Sequence, residues 1–532
     1  MAASTTGPAD VADVRLVGRF VPRNSNALVV LIIIACLVNS MTMGYDGNMM
    51  NGLNILPSFY NTISMNTAGQ SVNTGIVWVG GCVAALFAAP VIDRWGRKSG
   101  MAWAVAVSCV GVPLQAAAQN QAMFVVSRLI VGIGIGLGSV ACPTYCSEVA
   151  PLKWRAFCLG LYYAFWYGGG LIASGVTFGT AKILTSWAWR LPSLLQILPA
   201  LLCLAVLPFI PESPRWLMWQ GREAEALEVL AIMSANGNKT DPVVLTQFQQ
   251  VSETVAFEKE HKPPQNWLDA FKTRNSRRRM LLACSCAVIG NMSGSGIISY
   301  YLGTMLTAAG ITNTTTQLLI NIYLSVWCLF TAVLGCSLAD KIGRKKLGAG
   351  TIGVSMIFLY LVGAFTKLYG NGENYSGSLA TVACIFLYQG TCIFAFGWST
   401  LLVMYPPEVL NFSLRANGMS IYTFCSNGAA CVVTFAFPFA LEAIGWKTYM
   451  INASWDLLEV LFIIFIWVET SNKTLEEIDE VIEGEMHSDA PKLMAVIAGD
   501  VEVNAESVLS KHPGAVKETM SKQAVVSEVV TN

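Results

Sequence analysis

Two charged residues stand inside runs that carry no other charge. Asp46 ends the apolar run 27–46, and Arg128 is the only charged residue between Lys98 and Glu148. An ionisable group among apolar residues is costly enough to imply a function, usually with a partner. The chemistry open to this pair is proton uptake and release by the carboxyl group, with the guanidinium holding it when it is ionised. Asp456 and Glu459, inside the run 448–468, are rivals for the same role. His261, His487 and His512 all lie in polar segments, which leaves carboxylates as the proton carriers.

A second set of acids and bases repeats. Asp93-Arg-Trp-Gly-Arg97-Lys98 recurs as Asp340-Lys-Ile-Gly-Arg344-Lys345, Glu148 with Arg155 recurs as Glu408 with Arg415, and Pro-Glu212-Ser recurs loosely as Val-Glu469-Thr. These residues can form ion pairs that join helix ends and release them on breaking. The competing reading is that the basic loops only orient the chain during insertion.

The elements that must position these groups follow from composition. Hydrophobic residues make up 54% of the 532 residues and charged ones 12%, with a mean hydropathy of +0.53. An ordinary soluble domain is about a quarter charged, so a bilayer is the expected solvent. Apolar runs near the roughly 20 residues that span it as a helix fall at 27–46, 71–92, 101–118, 122–145, 156–178, 190–210, 280–306, 317–339, 347–366, 380–404, 416–438 and 448–468. The expectation is an all-α membrane protein of about twelve transmembrane helices. Lys and Arg cluster in alternate connections, which places those connections and both termini in the cytoplasm. Residues 1–26 contain no apolar core of a cleavable signal, so the first span serves as its own insertion signal.

The repeat divides the chain into a cytoplasmic N-terminal segment 1–26, a six-helix half 27–210, a cytoplasmic linker 211–279, a second half 280–468 and a cytoplasmic tail 469–532. A substrate site is expected at the midplane between pseudo-symmetric halves. Zero net charge gives no support to nucleic-acid binding. The fifteen cysteines are scattered without metal-ligand spacing or a disulfide framework. Gly132-Ile-Gly-Ile-Gly-Leu-Gly138 has no preceding strand and reads as helix packing rather than a dinucleotide loop. No nucleophile, metal cluster or cofactor motif emerges, and an enzyme is not expected.

Gly44-Tyr-Asp46, the two Asp-x-x-Gly-Arg-Lys loops, Arg128-x-x-x-Gly-x-Gly, Pro211-Glu-Ser-Pro-Arg-Trp216, Tyr405-Pro-Pro-Glu408 and Val468-Glu-Thr470, in this order, resemble the sugar porters of the major facilitator superfamily. Gly47-Asn-Met-Met-Asn-Gly52, Phe165-Trp-Tyr167, Ser293 to Leu302 and Glu408 to Gly418 look like its fungal lactose-permease branch. The resemblance implies proton-coupled uptake of a disaccharide such as lactose or a related sugar, with Asp46 as proton acceptor, Arg128 its partner, and a plasma-membrane location. The sequence departs from the family at sugar-contact positions: Tyr163 takes an amide position, Gly290, Asn291 and Gly296 replace amide-rich ones, and Val403 replaces a tryptophan. A sugar needs donors and acceptors for its hydroxyls and flat aromatic surfaces for its C–H faces. The substrate candidates are therefore Tyr163, Trp166, Gln196, Asn291, Ser295, Tyr300, Tyr301, Trp398 and Asn427. The cytoplasmic gate would comprise Asp93, Arg97, Glu148, Arg155, Glu212, Asp340, Arg344, Glu408, Arg415 and Glu469. A facilitator or exporter of a hexose, polyol or other metabolite, and a nontransporting sugar sensor, stay open as alternatives, as do the sugar's identity and the oligomeric state.

Overall fold

The computed structural model describes residues 17–482 except 19, 64–66, 261–269, 370–374, 393, 472, 474–477 and 479. In the first half the helices are α1 (Ser25–Leu53), α2 (Pro57–Thr62), α3 (Thr67–Trp95), α4 (Arg97–Ala116), α5 (Gln121–Val149), α6 (Leu152–Thr180), α7 (Trp187–Leu195) and α8 (Ile197–Val206). The connecting segment forms α9 (Pro214–Trp219), α10 (Glu223–Ala235) and α11 (Pro242–Glu260). The second half contains α12 (Arg274–Met292), α13 (Ser295–Ala308), α14 (Thr314–Ile342), α15 (Arg344–Tyr369), α16 (Tyr375–Phe386), α17 (Ser399–Val409), α18 (Phe412–Ile444) and α19 (Lys447–Ile466). No strand occurs among the described residues.

Nine stretches among the described residues are long and apolar enough to cross a membrane. Three more crossings are α6, the pair α12–α13 and the pair α16–α17, which makes an all-α membrane protein. The physical reason for helices is that hydrocarbon offers backbone groups no partner, so each N–H and C=O must be satisfied inside the protein. Helix starts carry matching caps: the Asn120 side chain accepts from Met123 N at 2.9 Å, and Asn411 from Leu414 N at 3.3 Å. Large exposed apolar residues such as Leu198, Leu202, Phe330, Ile451, Leu458 and Phe465 lie on the outer helices α8, α14 and α19, where lipid is the neighbour.

Several expectations need correction. The run 27–46 does not end at Asp46, because α1 continues to Leu53. Asn48 and Asn51 stop a hydropathy reading, but both find partners on other helices. The run 280–306 is two helices, not one. The chain turns at Gly294, whose φ of +87° suits glycine, and bends again at Tyr301. The carbonyls freed by the break are satisfied by side chains: Tyr388 Oη donates to Ser293 O at 2.6 Å, and Asn452 Nδ2 to Met292 O at 2.7 Å. The run 380–404 is interrupted by wider π-helical turns at Leu387–Cys392 and Phe394–Trp398. In the connecting segment, Ala224 through Met233 of α10 are buried.

The halves repeat one pattern of neighbours. Helix α1 packs on α6, and α4 on α7 and α8, in the first half; α12 packs on α18, and α15 on α19, in the second; α3 against α18 and α6 against α14 join them. Small residues set these approaches. A Cβ on Gly44 would overlap the backbone carbonyl of Trp166, and one on Gly169 the carbonyl of Met41, so α1 and α6 touch backbone to backbone. Gly44→Ala is therefore expected to destabilise the protein by about 1–3 kcal/mol through overpacking. Gly353→Ala, whose Cβ meets nothing within 4 Å, should be neutral. Thermal unfolding of the purified protein in detergent checks the contrast, and equal midpoints for both variants would refute it.

Candidate functional site

Asp46 and Arg128 meet across α1 and α5. Arg128 Nη1 and Nη2 donate to the two Asp46 carboxylate oxygens at 2.9 and 3.2 Å, and both residues are fully buried. The paired, planar geometry is the strong form of a charge-assisted bond. Gln196 sits where α7 gives way to α8, and its Nε2 donates to Asp46 Oδ1 at 2.9 Å. Gln196 thus belongs to the ion pair rather than to a cavity wall. The burial rules out the reading of Asp46 as a cap at a solvent-facing helix end.

Two small cavities lie between the halves, about 40 and about 30 Å³. The first is lined by Trp78, Tyr163, Trp166, Asn291, Ser299 and Tyr300, among others, and the second by Asn48, Asn51, Trp166, Ser299, Asn321, Ser325 and Gln389. Trp166 and Ser299 are common to both. Tyr163 stacks on Trp166 at 6.3 Å, and Trp78 of the first half meets Tyr300 of the second edge to face at 6.0 Å. Asn291 Nδ2 donates to Ala287 O and to Ser426 Oγ, at 2.8 and 3.0 Å. Tyr163, Trp166, Asn291 and Tyr300 are thereby brought together.

The other candidates are not. Trp398 is completely buried beside Gly290 and packs on the Trp467 ring at 5.4 Å, inside the second half. Asn427 lies against Gly81 between α18 and α3 and donates to its own helix at Thr423 O. Tyr301 lines a separate cavity of about 390 Å³, with Glu442, Trp446 and Tyr449, and donates to Thr434 O at 2.7 Å. The Ser295 side chain lies outside the described residues. What the sequence reading missed is an amide and hydroxyl cluster. Asn48 Nδ2 reaches Gly170 O, Ser174 Oγ and Ser325 Oγ at 2.8 to 3.0 Å, and Asn51 Nδ2 reaches Asn321 Oδ1 at 3.2 Å. Its signal was the run Gly47 to Gly52, polar inside an otherwise apolar helix.

At the basic end the two halves carry the same construction. Glu148 binds Arg97 Nε and Nη2 at 3.0 and 3.3 Å and accepts from Ser213 Oγ. Glu408 binds Arg344 Nε and Nη2 at 3.3 and 3.0 Å and accepts from Thr470 Oγ1. Glu212 takes the backbone N–H groups of Arg97 and Lys98 at the start of α4, and Glu469 those of Arg344 and Lys345 at the start of α15. A carboxylate at a helix N-terminus meets the positive end of its dipole. Gly96 and Gly343, at φ +93° and +89°, make the turns, and a Cβ on either would strike that carboxylate. Burial pushes the Glu212 carboxyl above its usual range, while the Ser213 N–H and the Arg97 charge pull it down. Asp93 is the outlying member, 3.4 Å from Arg97.

Glu408 binds Arg344 in its own half, as Glu148 binds Arg97 in the other. One ion pair crosses between the halves: Arg415 Nη1 to Glu148 Oε1, at 3.4 Å. The side chains of Arg155 and Asp340 lie outside the described residues.

The sequence model of the "Sugar (and other) transporter" family matches residues 31–482. The MFS-type transporter oryC of Aspergillus oryzae is 29% identical over 84% of either chain, and the high-affinity glucose transporter of Kluyveromyces lactis 28% identical over 88% of either. Among solved structures, the proton:xylose symporter XylE bound to 6-bromo-6-deoxy-D-glucose has a TM-score of 0.74 at 21% identity, covering 86% of this chain and 99% of that one. It shares the fold.

Arg415→Ala is expected to open the basic end. It removes bonds to a charged group, worth about 1.5–3 kcal/mol, between the halves. Arg344→Ala cuts a pair inside one half and should open that end less. Labelling of an engineered cysteine on the path from the basic end reads the difference. No faster labelling in Arg415→Ala at normal abundance would reduce these charges to insertion signals.

Proposed function

Because the chain belongs to the sugar transporter family of the major facilitator superfamily, we propose that it imports a sugar together with a proton by alternating access across the plasma membrane. The basic end and both termini face the cytoplasm. The observation that carries the coupling is the Asp46–Arg128 pair, buried between α1 and α5 and shared with Gln196. Protonation of Asp46 and full pairing with Arg128 exclude each other. Loading therefore releases the guanidinium and loosens α1 from α5, and unloading restores the pair. One proton moving inward through about 100 mV supplies roughly 2.3 kcal/mol. At 1.4 kcal/mol per tenfold that drives accumulation of about fiftyfold.

The sugar site is the pair of cavities around Trp166 and Tyr300. Both are far below the roughly 300 Å³ at which ligand pockets begin. A sugar enters when Tyr300, carried on α13 beyond the Gly294 turn, swings away from Trp78 and merges them. The merged space offers aromatic faces on one side and the amides of Asn48, Asn291 and Gln389 with Ser299 on the other, which suits ring C–H groups and hydroxyls. The substrate is a disaccharide such as lactose or a related sugar, in line with the motifs that look like the lactose-permease branch. The names of the relatives, a glucose transporter and a xylose symporter, support a sugar as the cargo class. One amide on α12 where the family carries more favours as second reading a facilitator of another metabolite, whose uptake persists when the proton gradient is collapsed.

Asp46→Asn is expected to abolish accumulation against a gradient while leaving downhill flux or exchange, because an amide cannot load a proton. Labelled-sugar uptake in cells lacking their own transporters, with and without an uncoupler, checks this; proton-driven accumulation that survives in the variant removes Asp46 as the carrier. In the same cells Asn291→Ala should weaken apparent affinity by about 5- to 150-fold, the cost of one unmatched buried polar group at roughly 1–3 kcal/mol. Trp398→Ala should instead lower abundance, since that ring packs on Trp467 away from the cavity. An unchanged affinity in Asn291→Ala moves the site elsewhere.

A further inference from the structure

The second half holds two buried acids that the coupling pair does not use. Asp456 and Glu459 lie in α19, 0% and 3% exposed, and neither carboxylate meets a cation among the described ion pairs. Both Asp456 oxygens and Glu459 Oε2 have no hydrogen-bond partner, and Glu459 Oε1 accepts only from the Trp455 indole N–H at 2.7 Å. An unpaired ionised group in a membrane interior costs several kcal/mol.

The surroundings lack a compensating charge. Helices α12, α15 and α18 pack against α19. Their cations, Arg274 and Arg277 to Arg279, Arg344 to Lys346 with Lys367, and Arg415, sit near their ends, while between them only Cys284, Cys286, Tyr360, Tyr422, Cys425 and Cys431 can titrate, with Glu442 at the far end of α18. Tyr360 is bonded to Ser454 at 2.7 Å, and a Cβ on Gly348 would meet Trp467, which fixes the register of α15 along α19. By that register Arg344 lies about 16 Å along the axis from Glu459, at 1.5 Å per residue.

What does face this stretch is unsatisfied acceptors and hydroxyls. Thr448, Asn452, Asp456 and Glu459 follow at spacings of four, four and three, one stripe of the helix. Thr448 Oγ1 and Asn452 Oδ1 are buried without partners, and so is the hydroxyl of Ser355, 0% exposed and level with Glu459 in the α15 register. Carboxylates only accept, whereas a protonated acid donates one O–H. Thr448 and Ser355 each bring one O–H of their own, and a proton on either acid adds a donor where Asp456, Glu459 and Asn452 Oδ1 offer only acceptors. Asn452 also reaches out of the stripe: its Nδ2 donates to Met292 O, next to the Gly294 turn between α12 and α13.

We propose that Asp456 and Glu459 form a proton-binding site, separate from Asp46, whose loading sets the bend between α12 and α13. With the protons bound, Asp456 does not draw on Asn452, whose Nδ2 stays on Met292 O while its Oδ1 lies against Gly294. When Asp456 ionises, one turn away on the same face, it competes for the Asn452 amide and frees the carbonyl at the break. The two carboxyls titrate as a pair rather than singly. The consequence for flux rests on the transporter reading, but proton binding does not.

Infrared difference spectroscopy of the purified full-length protein tests the site through the carboxylic-acid C=O band. The band should be present at neutral pH and decline as pH rises. It should shrink in Asp456→Asn and in Glu459→Gln, disappear in the double variant, and persist in Asp46→Asn. Amide hydrogen exchange over residues 293–301, corrected for its intrinsic pH dependence, should respond to pH in the native protein and lose that response in the double variant. Both substitutions are isosteric, and either single variant keeps the test readable if the double one fails to fold. A band that survives the double substitution, one that does not titrate, or an unchanged exchange response overturns the proposal. A band lost in Asp46→Asn instead assigns the proton to Asp46, leaving the proposed function intact and this site refuted. Accumulation that tolerates Asp46→Asn but not the double variant does the reverse.

Discussion

The ion pair of Arg128 with Asp46 is the constraint that the first half is built around, because both partners are fully buried between α1 and α5. Separating them would leave an uncompensated charge at a cost of about 3–5 kcal/mol, so on the proposed reading this contact changes when a proton neutralises the acid. The neighbouring structure serves that condition. Gly44 and Gly169 let α1 lie directly on α6, the break at Gln196 aims an amide at Asp46, and Tyr45 Oη anchors the next residue to Pro192 O at 2.9 Å. A local charge event is thereby tied to the packing of four spans.

The two ends of the molecule are closed by different chemistry, and the difference explains how a rigid-body motion is possible. At the basic end most of the charge is spent inside each half: Arg97 on Glu148, Arg344 on Glu408, Glu212 and Glu469 on the helix starts that follow Gly96 and Gly343. These clusters stiffen each six-helix unit, and Arg415 reaches across to Glu148. Towards the other end the halves meet through neutral groups, Asn48 with Ser325 and Asn51 with Asn321. A neutral hydrogen bond contributes about 1 kcal/mol net. Two weak closures of comparable size, rather than one strong one, are what a protein needs to occupy both states.

The spans were legible because the length and charge content of an apolar run report directly on its solvent, and the paired halves were legible because the acid and base positions repeat. Asp46 with Arg128 could be read for the same reason, as isolated charges in long apolar stretches. The missed features depend on side chains that compensate one another across helices. Asn48 and Asn51 look like a loop until Ser174, Ser325 and Asn321 are seen opposite. The break at Gly294 looks like continuous helix until Tyr388 and Asn452 take up the freed carbonyls. Trp398 was a substrate candidate because a sugar needs flat aromatic surfaces, but the side an indole faces follows from helix rotation after the π-helical turns, which no hydropathy pattern announces. Glu408 is different, because its bond to Arg344 is the repeat of Glu148 with Arg97 and could be read from the sequence.

The contrast between the two buried acid sites is the remaining physical point. Asp46 has a fixed cation, so adding a proton weakens a contact. Asp456 and Glu459 have none, so on the proposed reading a proton on either adds a donor where only acceptors stand and leaves Asn452 on Met292 O. Loading then loosens the first half and holds the second, at the segment beside Gly294 that carries Tyr300. A carrier built this way would bind a proton without committing to either open state, and the choice would fall to the substrate that fills the space between Trp166 and Tyr300.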